Sequence, residues 1–124
     1  MGLDHWIERR LPVADHKEEL IYWRKEPAIH DWFEKLAIDK GIKFESFNCV
    51  PVRIKKKHIK WLIEDITNDN LDYGRSGFFF GSNIMEPDEL AEWKQARITE
   101  LKQLLQTMKD GKDYAYKYYY NSWW

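Results

Sequence analysis

Apolar and polar residues alternate at the start of the chain, then fall into three- and four-residue spacing, and the same switch recurs further along. Residues 3 to 10, LDHWIERR, have the period of a strand. Leu3, His5, Ile7 and Arg9 share one face, and Asp4, Trp6, Glu8 and Arg10 share the other. Pro12 ends this strand, and the charged run Asp15 to Glu19 reads as a connection. From Pro27 onward, Ile29, Trp32, Phe33, Leu36 and Ala37 recur at helical spacing; proline suits the first turn and Gly41 the stop. Phe44 to Ile54 is rich in strand formers, and Pro51 assigns it to a sheet edge or a bulge. A second helix begins near Lys56, with Ile59, Leu62, Ile63 and Ile66 inward. Phe78, Phe79 and Phe80, set between Gly77 and Gly81, read as a buried strand. Pro87, Asp88 and Glu89 open a third helix striped by Leu90, Trp93, Arg97, Leu101, Leu104, Leu105 and Met108. Tyr114, Tyr116, Tyr118 and Tyr120 alternate along a closing strand.

These elements predict one α+β domain over residues 1–124. Its single-layer, four-stranded mixed sheet follows the order β-α-β-α-β-α-β, with helices mainly on one face. The uncovered face then carries aromatic rings in need of a ligand or a second subunit, and a homodimer is one expectation.

Aromatic content sharpens that picture: 16% of the chain is Phe, Trp or Tyr, with seven Trp and seven Tyr. Such rings fill cores, but clustered they also make recognition surfaces. Twenty Lys+Arg against 21 Asp+Glu give a formal charge of −1, which argues against general nucleic-acid binding. The single cysteine, Cys49, excludes an internal disulfide and a four-thiolate zinc site. No apolar run approaches the roughly 18 residues of a membrane helix, and the charged first ten residues do not read as an export leader.

Three clusters carry candidate chemistry. Tyr22, Trp23, Arg24 and Lys25 precede the first helix, whose N-terminal N–H groups suit an anion, while His30 and Trp32 lie within it. His30 and Glu34 share a helix face but lack the further ligands a metal needs. Ser76, Gly77, Gly81 and Ser82 bracket the three phenylalanines and let a ligand approach the backbone; the Lys-Ser/Thr pair of a phosphate loop is missing. In the tail, Tyr118, Tyr120, Ser122 and Trp124 project to one side and Tyr119, Asn121 and Trp123 to the other. One side serves as a stacking platform for a base or as a self-association surface. Lys55, Lys56, Lys57 and Lys60 read as a solvated helix start. No catalytic constellation emerges: Cys49 has no neighbouring base, and Asp4 and Glu8 stand about 13 Å apart along a strand.

Taken together, Met1-Gly2-Leu3-Asp4 with Trp6, Tyr22 to Lys25 with Ile29, His30, Trp32 and Phe33, Ser76 to Ser82, and Tyr119-Tyr120-Asn121-Ser122-Trp123 resemble a family of small tailed-bacteriophage proteins. The four ordered segments run from the first residue to the penultimate one, and Pro27 and Trp124 depart from the pattern. The resemblance implies a phage accessory protein acting in the host cytoplasm.

The leading expectation is a non-catalytic binder of a small nucleotide-like ligand that sequesters a signal of host immunity. Its site draws on Tyr22, Trp23, Arg24, Lys25, His30, Trp32, Ser76, Gly77, Gly81, Ser82, Tyr120, Ser122 and Trp123, with no cofactor, metal or membrane. The alternatives are an inhibitor of a host protein acting through an exposed aromatic face and a small hydrolase of a nucleotide signal.

Overall fold

A hairpin starts the fold: β1 (Asp4–Leu11) turns back as β2 (His16–Arg24). There follow α1 (Pro27–Asp39), β3 (Val52–Ile54), α2 (Lys56–Thr67), the two-residue strands β4 (Ser76–Gly77) and β5 (Gly81–Ser82), α3 (Pro87–Lys109) and β6 (Lys117–Trp123). The computed structural model describes residues 2–11, 14–71, 76–77, 81–82, 87–109 and 116–124.

The fold is α+β with one four-stranded sheet, but that sheet is antiparallel throughout, in the order β2-β1-β6-β3, rather than mixed. The difference comes from β2, whose first residues, His16 to Glu19, belong to an edge strand instead of the expected connection. Charged side chains suit an exposed edge as well as they suit a loop, since they deter a further strand from pairing there. The expected strand at Phe78 to Phe80 lies outside the described residues; its flanks, β4 and β5, pair with each other in a separate two-stranded ladder. Of the stretch from Phe44 to Ile54, only Val52–Ile54 is strand, at the sheet's other edge directly after Pro51.

The helices lie against one face of this sheet. Ile7, Val52, Ile54, Tyr118 and Tyr120 from the strands share a core with Ile29 and Phe33 of α1, Ile59, Leu62 and Ile66 of α2, and Leu101, Leu104 and Met108 of α3. Gly41 ends α1 at φ 79, where a Cβ would be strained. The pairing of β1 with β2 slips between Ile7 and Glu8, so Leu20 is an extra residue in β2. Leu20 and Ile21 consequently both pack against the core, and strict alternation fails there.

Candidate functional site

The residues expected to form one site fall into three places. The first is the interior. His5 faces Trp23 across β2 and Ser122 across β6. His30 reaches the same spot from α1, and both imidazoles meet the Tyr120 hydroxyl: His5 Nδ1 at 2.9 Å and His30 Nδ1 at 2.6 Å. The backbone N–H of Glu26 donates to His5 Nε2 at 3.3 Å, so the His5 proton sits on Nδ1 and is donated to the phenol oxygen. Tyr120 then donates its own proton to His30 Nδ1. Burial, then the neighbouring His30 and Arg97, holds His5 well below its ordinary range, and burial pushes the Tyr120 phenol well above its own. Phe33 stacks on Tyr120 with ring centroids 4.0 Å apart. A second polar layer ties α3 to this cluster. Trp23 donates to Glu100, Trp93 donates to Glu26, and Arg97 pairs with both carboxylates at 3.2 and 2.8 Å. Tyr120, His5 and Ser122 are fully enclosed and His30 is 1% exposed, so a substrate has no access; the cluster orders the core.

The second place is the opposite face of the same strands, where Glu8 is buried, Asp4, Trp6 and Arg10 are half-buried, and Tyr22 at the β2 edge also borders a recess with Glu100, Gln103 and Thr107 of α3. Rungs of this face follow from the pairing. Asp4 sits between Arg24 and Trp123; Trp6 between Tyr22 and Asn121; Glu8 between Glu19 and Tyr119, with Arg53 beyond; and Arg10 between Lys17 and Lys117. Tyr22 is 50% and Trp123 62% exposed. The Tyr22 hydroxyl donates to Asp4, which raises the phenol's pKa, and the Trp6 indole donates to Glu8 at 2.7 Å. The Arg10 guanidinium lies 4.1 Å above the Tyr119 ring and pairs with Glu8. Lys17, Arg24, Arg53 and Lys117 have no ion-pair partner among the described residues, so five basic positions against three acidic ones leave this face positive. Arg10, Lys17, Lys117, His16 and Tyr119, with Leu11 and one carboxylate, Asp15, surround a recess of about 360 Å³.

The third place is a groove of about 720 Å³ between α1 and α2, walled by Trp32 and Trp61. The Trp32 indole is committed to Asp65 at 2.8 Å, and Lys35 and Lys40 to Asp31 and the Arg53 carbonyl. Asp39 and Glu64 also line it, without an ion-pair partner among the described residues, so its open charge is negative.

Trp23, His30, Tyr120 and Ser122 are thus interior, Tyr22, Arg24 and Trp123 belong to the open face, and Trp32 belongs to the groove. Lys25 is exposed at φ 56 between β2 and α1. At the start of α1, where an anion cradle was expected, Glu26 takes the N-cap position without a side-chain bond to the helix N–H groups, and its carboxylate is engaged by Trp93 and Arg97. The backbones of Ser76, Gly77, Gly81 and Ser82 form the small ladder, separate from the main sheet. The expected site omits Trp6, Arg10, Lys17, Lys117 and Tyr119, although Tyr119 shares its side of the tail with Trp123. The alternation that separates Asp4, Trp6, Glu8 and Arg10 from Leu3, His5 and Ile7 was the signal that could have found the β1 members. No family model, curated protein or solved structure matches the chain.

Proposed function

We propose that this protein is a non-catalytic binder of a small nucleotide-like molecule and that the outer sheet face is its binding surface. The observation that carries the reading is the rung Lys17–Arg10–Lys117, three cations in register on adjacent strands beside the Tyr119 ring. Like charges directly opposite one another destabilise a sheet, and a bound phosphate offsets that repulsion. Trp6, Tyr22 and Trp123 supply faces on which a base stacks, and Arg10 adds a guanidinium plane. The α1–α2 groove is larger, but its open carboxylates repel a phosphate. In a phage accessory protein, capture without turnover removes a nucleotide signal from the host's defence.

Calorimetry against cyclic dinucleotides and ADP-ribose derivatives tests this. The expected result is a Kd below about 10 μM for at least one of them, with the ligand recovered intact by chromatography. No heat from a folded sample across the panel overturns the reading, and a hydrolysed product replaces it with an enzyme. A second reading uses the same face to block a host protein, favoured by the exposure of Tyr22 and Trp123. It predicts one stoichiometric partner from host lysate whose capture Trp123→Ala abolishes.

A further inference from the structure

We infer that the sheet face accommodates a single-stranded polynucleotide of about three to four nucleotides in preference to a mononucleotide; this deepens the proposed function and rests on it. The ring-bearing positions are not gathered around one spot. They climb the face in successive rungs: Tyr119 beside Glu8, then Trp6 with Tyr22, then Trp123 beside Asp4. Adjacent rungs on one face are separated by two residues, about 6.6 Å at strand rise, so the ladder from Asp4 to Arg10 covers about 20 Å.

Cations stand at both ends of that ladder. Lys17, Arg10 and Lys117 form one end, Arg24 the other, and Arg53 flanks the Tyr119 rung. A mononucleotide engages one ring and one phosphate site. It leaves two ring rungs and the far cation unused. An extended single strand presents its bases to consecutive rungs while its backbone passes the cations at either end. A duplex hides its base faces and gains nothing from the rings. The chain's overall charge of −1 does not oppose this, because the acids that balance the count include those of the α1–α2 groove, on other elements. The acids on the sheet face itself include Asp4, held by Tyr22, and Glu8, held by Trp6 and Arg10.

Fluorescence anisotropy with labelled oligo(dT) and oligo(U) of one to eight nucleotides, on the full chain, tests the inference. The expected affinity rises at least tenfold from one to four nucleotides and then levels off. Three to four neutralised phosphates predict a slope of about 2 to 3 in log Kd against log salt concentration. Trp123→Ala and Lys117→Glu, both at exposed positions, each weaken the tetranucleotide at least fivefold while the circular dichroism spectrum is retained. A mononucleotide that binds as tightly as the tetranucleotide overturns the inference and leaves the proposed function standing. Equal competition by a duplex of the same length also overturns it. Absence of binding by both mononucleotide and oligomer overturns the inference, while the proposed function stands or falls with the cyclic-dinucleotide and ADP-ribose panel.

Discussion

Tyr119 and Tyr120 are neighbours in the chain, yet one faces solvent and the other the core. Tyr120 is fully enclosed, stacked on Phe33, with its hydroxyl held by two imidazoles. Tyr119 lies on the open face beneath the Arg10 guanidinium. The same contrast separates Trp23, 2% exposed, from Trp123, 62% exposed. A strand's two-residue period thus lets one segment build a core and a surface at once. Inside, each polar atom on a ring needs a fixed partner, because an unpaired one costs about 1–3 kcal/mol. Outside, neighbouring carboxylates partner the Tyr22 hydroxyl and the Trp6 indole, and the ring faces are left for something else to cover.

Tyr120→Phe tests the inner half of this contrast hardest. It removes the hydroxyl that accepts from His5 and donates to His30, leaving both imidazole nitrogens without it. The expected loss is about 2–4 kcal/mol in urea unfolding, because two buried groups lose one partner. A loss below about 0.5 kcal/mol contradicts the cluster's structural role.

Acid is the next lever. The His5 pKa in the fold lies well below the unfolded value near 6.5, so the native state excludes a proton that the unfolded chain accepts. Stability is therefore intact above about pH 7 and falls as the pH drops through 6.5, by about 1.4 kcal/mol per pH unit for this one proton. His58, brought down to about 4 by burial and by Lys40, Lys57 and Lys55, acts in the same direction between those values. Urea midpoints at pH 8, 7, 6 and 5 check this; a flat profile from 7 to 5 contradicts it.

On the outer face the signs reverse. Lys117→Glu relieves the repulsion of the Lys17–Arg10–Lys117 rung and is expected to raise stability by about 0.2–1 kcal/mol while weakening phosphate binding. A thermal melt and a ligand titration on the same variant show whether the two effects part company. Trp123→Ala is the mildest change, within about 0.5 kcal/mol of the parent, since its ring is largely in water already.

The sequence makes the two faces of β1 legible, because Leu3, His5 and Ile7 alternate cleanly with Asp4, Trp6 and Glu8. The three helical stripes are equally readable, whereas Pro51 leaves an edge or a bulge open, of which the structure has the edge. β2 was not, for two physical reasons. Its first residues are charged because they line an edge, which is also how a loop reads, and the extra residue at Leu20 breaks the alternation before it reaches Trp23. The destination of the tail was open for another reason. Period two separates Tyr120 from Trp123, but only the helices decide which side is covered. His30 looked like a ligand donor at the start of a helix; whether Nδ1 points outward or toward Tyr120 depends on a strand 90 residues away.

The tryptophans provide the most direct test of the central claim, that ligand recognition belongs to the open sheet face. Trp6 and Trp123 report on that face, Trp23 and Trp93 on the interior, and Trp32 and Trp61 on the groove. In a titration with a cyclic dinucleotide followed by nitrogen-15 correlation spectra of the indole N–H groups, the signals of Trp6 and Trp123 are expected to shift together while those of Trp23, Trp93, Trp32 and Trp61 stay fixed. Movement of Trp32 and Trp61, with Trp6 and Trp123 unchanged, would contradict the account and transfer the site to the groove.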